Sequence, residues 1–142
     1  MTQLLAFAAA AISVTLLTWW YRRLRAGDRM EVILTRKRGT SMLTSSAQLI
    51  DGANHIPVAL SLDAGRFSYE SEDFDASIDV QQIDEVEYGS DLVTGGIADG
   101  AVLRVRSHGR AFEFIVDVAT AERWCHHLPP HRLDQAGRVE VV

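Results

Sequence analysis

Four side chains near the carboxyl end, Cys125, His126, His127 and His131, are of the types that ligate zinc and similar metals. Their spacing works against a preformed site. On a helix Cys125 belongs to one stripe while His126 and His127 diverge around the axis. Pro129-Pro130 breaks the i, i+4 relation between His127 and His131. The histidines are expected instead to be exposed at a helix carboxyl terminus, where positive charge is favourable. Acid–base chemistry is the next candidate, through the carboxylate pairs Glu72-Asp73 and Asp84-Glu85. General catalysis would need one carboxylate raised by an apolar pocket, and the pattern places none there. The stretch Gly89 to Gly100, with four glycines in twelve residues, lacks a lysine and carries Asp91 and Asp99, so it would repel phosphate. No nucleophile elbow, Walker loop, dinucleotide fingerprint or zincin pattern occurs. The expectation is a chain that is not an enzyme, with no catalytic residues, no metal and no cofactor.

The elements that would carry these residues are mostly strands. Met30 to Thr35 is short and β-branched and reads as a first strand. Ser41 to Ile50 has weak patterning. Val58, Leu60 and Leu62 alternate on one face, and after the turn Asp63 to Arg66 the chain returns through Phe67 and Tyr69. Pairing Leu62 with Phe67 and Leu60 with Tyr69 keeps all four on one side of a hairpin. Ala76 to Val80 and Ile83 to Tyr88 read as further strands, with Ile83 off the face of Val86 and Tyr88. The Gly89 to Gly100 connection is long for a hairpin, which marks it as functional or mobile. Asp91, Leu92, Val93 and Ile97 are its candidate contact residues for a partner. Leu103 is then expected opposite Phe114, Val105 opposite Phe112 and Arg104 opposite Glu113. A closing helix has Thr120 as its expected N-cap. Its apolar stripe is Ala121, Trp124, Cys125 and Leu128, and Pro129-Pro130 ends it. From His131 the chain reads as a tail.

The opening residues set location. Nothing charged precedes Arg22, and Thr2 to Tyr21 as a helix would be roughly 30 Å long, about one hydrocarbon core. Trp19, Trp20 and Tyr21, followed by Arg22, Arg23 and Arg25, form an aromatic and basic boundary. The order is the reverse of a signal peptide, whose positive region precedes its apolar run. The expectation is one transmembrane helix, with the lipid bilayer as partner of residues 2–21. Residues 22–38 hold seven basic and two acidic side chains, leaving seven basic and seventeen acidic for residues 39–142. The basic collar predicts an amino terminus outside and a carboxyl-terminal domain on the cytoplasmic face of the inner membrane. The acidic body excludes nucleic acid as a partner. A single cysteine permits no intrachain disulfide.

Short antiparallel strands ending in one amphipathic helix with a central tryptophan resemble the pleckstrin-homology superfold in its bacterial or GRAM-like versions. Pro57 to Ser71 is similar to the family's early hairpin. Ser77 to Val80 and Ile83 to Val86 resemble its middle strands, and Phe112 to Val116 leading into Thr120 to Leu128 its last strand and helix. The resemblance implies an α+β, mainly β fold behind the transmembrane helix. It would be a bent antiparallel sheet of six to seven strands, capped by one carboxyl-terminal helix. It divides the chain into an anchor with its basic flank (1–25), a basic linker with a possible first strand (26–40), the domain (41–128) and a tail (129–142). Ser41 to Leu62 contains no Lys or Arg, so the inositol-lipid pocket of some members is not implied.

These readings converge on a membrane-anchored, non-enzymatic interaction domain that binds a protein partner near the membrane. Two alternatives stand beside it. One is a lipid or small-molecule module with an apolar cavity lined by Phe67, Tyr69 and Phe112. The other is a metal-dependent protein using Cys125 and its neighbouring histidines.

Overall fold

The computed structural model describes residues 15–18, 20–21, 28–133 and 139–140. Residues 15–18 and 20–21 are helical, and helix α1 covers residues 28–38. Nine strands follow: β1 (Leu43–Asp51), β2 (Asn54–Asp63), β3 (Arg66–Glu70), β4 (Asp75–Asp79), β5 (Ile83–Asp91), β6 (Ile97–Ser107), β7 (Arg110–Val116), β8 (His131–Leu133) and β9 (Val139–Glu140). A 3-10 turn, Val80–Gln82, joins β4 to β5, and helix α2 (Val118–His127) lies between β7 and β8.

The strands form one antiparallel sheet in the order β4-β3-β2-β1-β7-β6-β5-β8-β9. β4 and β5 are joined by only three residues, yet they stand first and seventh in that order. Such a link reaches at most about 14 Å, so the sheet must curl until these two strands come near one another. The concave face is the core. Phe67, Leu60, Leu103, Val105 and Phe114 are all fully buried there, together with Trp124 of α2. Phe67 meets Phe114 at 5.6 Å and Trp124 at 5.7 Å between ring centroids, both edge-to-face. That geometry is favoured by ring quadrupoles.

The expected registers recur: Leu62 with Phe67, Leu60 with Tyr69, Leu103 with Phe114, Val105 with Phe112 and Arg104 with Glu113. A register shift between Ile83 and Glu85 lets Ile83 and Val86 both face inward despite their odd spacing.

The expected architecture needs correction in four places. First, no helix among the described residues is long and apolar enough to cross a membrane. Residues 28–38 span roughly 16 Å as a helix and carry Asp28, Arg29, Glu31, Arg36, Lys37 and Arg38. Of the expected boundary residues, Trp20 and Tyr21 are helical and exposed, whereas Trp19, Arg22, Arg23, Arg25 and residues 2–14 lie outside the described residues. Second, Met30 to Thr35 is helix rather than strand. Met30, Ile33, Leu34 and Lys37 are half-buried at i, i+3, i+4 and i+7, and basic residues end the helix where its dipole favours them. Third, the described residues form a sheet of nine strands rather than six or seven. Fourth, α2 does not close the chain, because β8 adds to the outer edge of β5 and β9 adds to β8.

α1 is held by ion pairs. Arg29 reaches Glu72 at 3.0 Å, Lys37 reaches Glu70 at 3.2 Å, and Arg36 also bonds Glu70. Glu70 is buried on the convex face of β3, so two cations balance a carboxylate that has lost most of its water.

Candidate functional site

The β5–β6 hairpin carries the most distinctive surface of the domain. The strands run further than their glycines suggest, to Asp91 and from Ile97, so the connection is Leu92 to Gly96. It is closed by hydrogen bonds from the Leu92 N–H to the Gly96 carbonyl (2.8 Å) and from the Gly95 N–H to the Leu92 carbonyl (2.9 Å). Gly95 has a φ of 85°, a backbone that favours glycine. The tip presents Val93 and Ile97, 69% and 85% exposed.

One arginine pins this tip. Arg104 of β6 bonds Glu87 on β5 at 2.6 Å, Glu113 on β7 at 2.8 Å and the Asp91 carbonyl at 3.1 Å. The Val93 N–H donates to the same Glu113 oxygen at 3.0 Å. Glu113 is buried, so its charge is fully engaged between the guanidinium and the loop backbone. Burial opposes the charge on Arg104, but the hydrogen bonds to Glu113 and Glu87 outweigh it and raise its pKa.

Behind the tip lies a cleft of about 680 Å³ whose walls include Tyr88, Asp91, Arg104, Cys125 and Arg132. It exists because β8 covers β5 only at Glu85 and Val86. Pro129-Pro130 lead the chain into β8, and without amide hydrogens they cannot extend the ladder along β5. The Tyr88 hydroxyl donates to the Leu128 carbonyl at 2.8 Å, tying β5 to the end of α2. Burial, reinforced by the nearby Cys125, pushes the Tyr88 pKa well above the tyrosine range, so this hydroxyl stays a donor.

The sequence-derived residues divide between two regions. Asp91, Leu92, Val93 and Ile97 gather at the hairpin tip, with Asp91, Val93 and Ile97 exposed and Leu92 half-buried. Ala121, Trp124 and Leu128 are buried under the sheet, while Cys125 is half-buried and lines the cleft. The α2 N-cap is Asp117 rather than Thr120, which occupies the third helical position. Asp117 accepts from the Thr120 N–H (2.8 Å) and hydroxyl (2.6 Å). These bonds hold its carboxyl below the ordinary aspartate value. His127 and His131 each turn Nδ1 toward a backbone carbonyl, of Arg123 and Pro129, at 3.0 Å. Among the described residues no three His, Cys, Asp or Glu side chains converge as a metal site would require. Tyr69 packs against Phe112 at 5.7 Å and lies 6.3 Å from Phe67. Tyr69 thus stands between the other two rings, and the cleft does not reach any of the three.

Sequence reasoning missed the roles of Glu87 and Glu113 as supports of the tip and of Tyr88 as the tie between β5 and α2. The Arg104–Glu113 register was readable, but the third contact, to the loop backbone, depends on a five-residue connection that glycine content disguised. No family model matches the chain, and no curated protein matches it.

Proposed function

We propose that this protein is a non-enzymatic interaction domain that binds a protein partner through the β5–β6 hairpin tip, at the cytoplasmic face of the cell membrane. The observation that supports the reading is two large apolar side chains, Val93 and Ile97, held out to solvent at a hairpin tip fastened from beneath by Glu113 and Arg104. Exposed apolar groups on an already ordered backbone lose little conformational freedom when a partner covers them. The cleft beside the tip offers a second wall for the same contact. Support for membrane proximity comes from exposed Trp20 and Tyr21 next to the basic stretch 22–38.

The test is a photo-cross-linking residue at position 93 in the full chain in its native cells. A discrete adduct is expected that disappears with Ile97→Asp and does not form when the cross-linker stands at Ala53, in the turn between β1 and β2. Equal adducts from both positions would defeat the reading.

A further inference from the structure

The other flank of the sheet has a different chemistry. β4 is the terminal strand, pairing with β3 alone among the described residues. The β3–β4 ladder is bounded by the bond from the Ser71 N–H to the Phe74 carbonyl (2.8 Å) and by that from the Val80 N–H to the Gly65 carbonyl (3.0 Å). Antiparallel bonding alternates along a ladder. With Tyr69 opposite Ala76 and Phe67 opposite Ile78 as the bonded pairs, Asp75, Ser77 and Asp79 turn their N–H and C=O groups away from β3. These three alternate residues form a template for one more strand.

The side chains select what can add. Asp75, Ser77 and Asp79 are exposed, and Glu72 and Asp73 stand at the turn that begins the strand. Arg66 sits opposite Asp79 and Arg29 holds Glu72, but Asp73 and Asp75 have no ion-pair partner among the described residues. A second copy of this edge would bring carboxylates against carboxylates, so self-pairing is disfavoured. A basic strand would meet complementary charge. On the opposite face Ala76 and Ile78 are half-buried against the core, and an incoming strand would extend that apolar surface.

We infer that the free edge of β4 receives, as an added strand, an extended segment of a partner protein that alternates basic and apolar residues. About five to seven residues would span the template. This surface is separate from the hairpin tip, and its success or failure is independent of the tip's role.

A capped heptapeptide alternating lysine and valine, and its glutamate–valine counterpart, would be titrated against the full chain by fluorescence anisotropy. The lysine peptide is expected to bind at least tenfold more tightly. Asp75→Lys with Asp79→Lys should weaken it at least tenfold, as should Ser77→Pro, which removes an outward N–H; Val93→Asp should leave it unchanged. Bound peptide should slow amide exchange at Asp75, Ser77 and Asp79 but leave Ala76 and Ile78, already bonded to β3, as they were. If Ser77→Pro fails to fold, the double lysine variant and the exchange pattern decide the matter. Equal binding of both peptides, or binding with no slowed edge amides, would overturn the inference.

Discussion

The indole Nε1 of Trp124 donates to the Ser45 hydroxyl at 2.8 Å, joining α2 to β1 across 79 residues of chain. Trp124 is fully buried and Ser45 nearly so. The bond lets a large ring enter the core without stranding its one polar atom.

Ser45→Ala is therefore expected to destabilise the domain by about 1–3 kcal/mol, the cost of an unsatisfied buried donor. Urea denaturation checks the prediction. Trp124→Phe in the Ser45→Ala background should cost less than in the wild type, because the hydrogen bond is already absent.

Asp117 gives α2 a pH-dependent start. Its carboxyl is held below the ordinary value, so the folded state binds its proton less readily than the unfolded chain. Its stabilisation is complete above about pH 4, near the unfolded aspartate value, and is lost as pH falls through the lowered folded value. Asp117→Ala should cost about 0.5–2 kcal/mol at neutral pH. Asp117→Asn should keep most of the cap and remove this part of the acid sensitivity. Melting curves from pH 2 to 7 would separate the three proteins.

Arg104→Met should be among the most damaging single changes on the convex face. It leaves Glu113 charged, buried and without its cation, a loss of about 3–5 kcal/mol. Adding Glu113→Gln should recover part of that loss. Amide exchange at Val93, which donates to Glu113, should quicken in both variants and most in Arg104→Met.

Gly100 and Gly65 should respond oppositely to alanine. Gly100 has a φ of 136°, and a Cβ there would lie 2.5 Å from the Val116 carbonyl oxygen. Gly100→Ala is expected to destabilise by more than about 1 kcal/mol. A Cβ at Gly65 meets open space at an ordinary backbone angle. Gly65→Ala should be neutral or stabilising by up to about 1 kcal/mol. Thermal melts of the two variants provide the comparison.

The sheet was legible wherever one face is apolar. Leu60, Leu62, Phe67 and Tyr69 alternate cleanly, as do Leu103, Val105, Phe112 and Phe114, and their registers follow. α1 was hidden because Val32 and Ile33 are β-branched within a short window, while the stripe from Met30 to Lys37 emerges only over eight residues and ends in a charged side chain. β8 and β9 were hidden for another reason. Both are too short to show a pattern, and they are strands only because β5 offers backbone partners to β8, and β8 in turn to β9. At the candidate site the contact residues were visible as apolar side chains among glycines. Of their supports only the pairing of Arg104 with Glu113 was visible; Glu87 on the other flanking strand and the bond from the Val93 N–H to Glu113 depend on the register of β5 and the short connection.

The sheet order divides the chain into two local meanders. One runs from β1 to β4 and the other from β5 to β7, and they are joined along Gln48–Ile50 and Glu113–Ile115, with α2 bridging to the first half through Trp124. Nearly all other pairing is between sequence neighbours. A chain severed within Val80–Gln82 would thus yield two fragments, each holding its own hairpins, with complementary surfaces at that seam. Mixed together, they should reassemble into the intact sheet, making the domain a candidate scaffold for split-protein reporters.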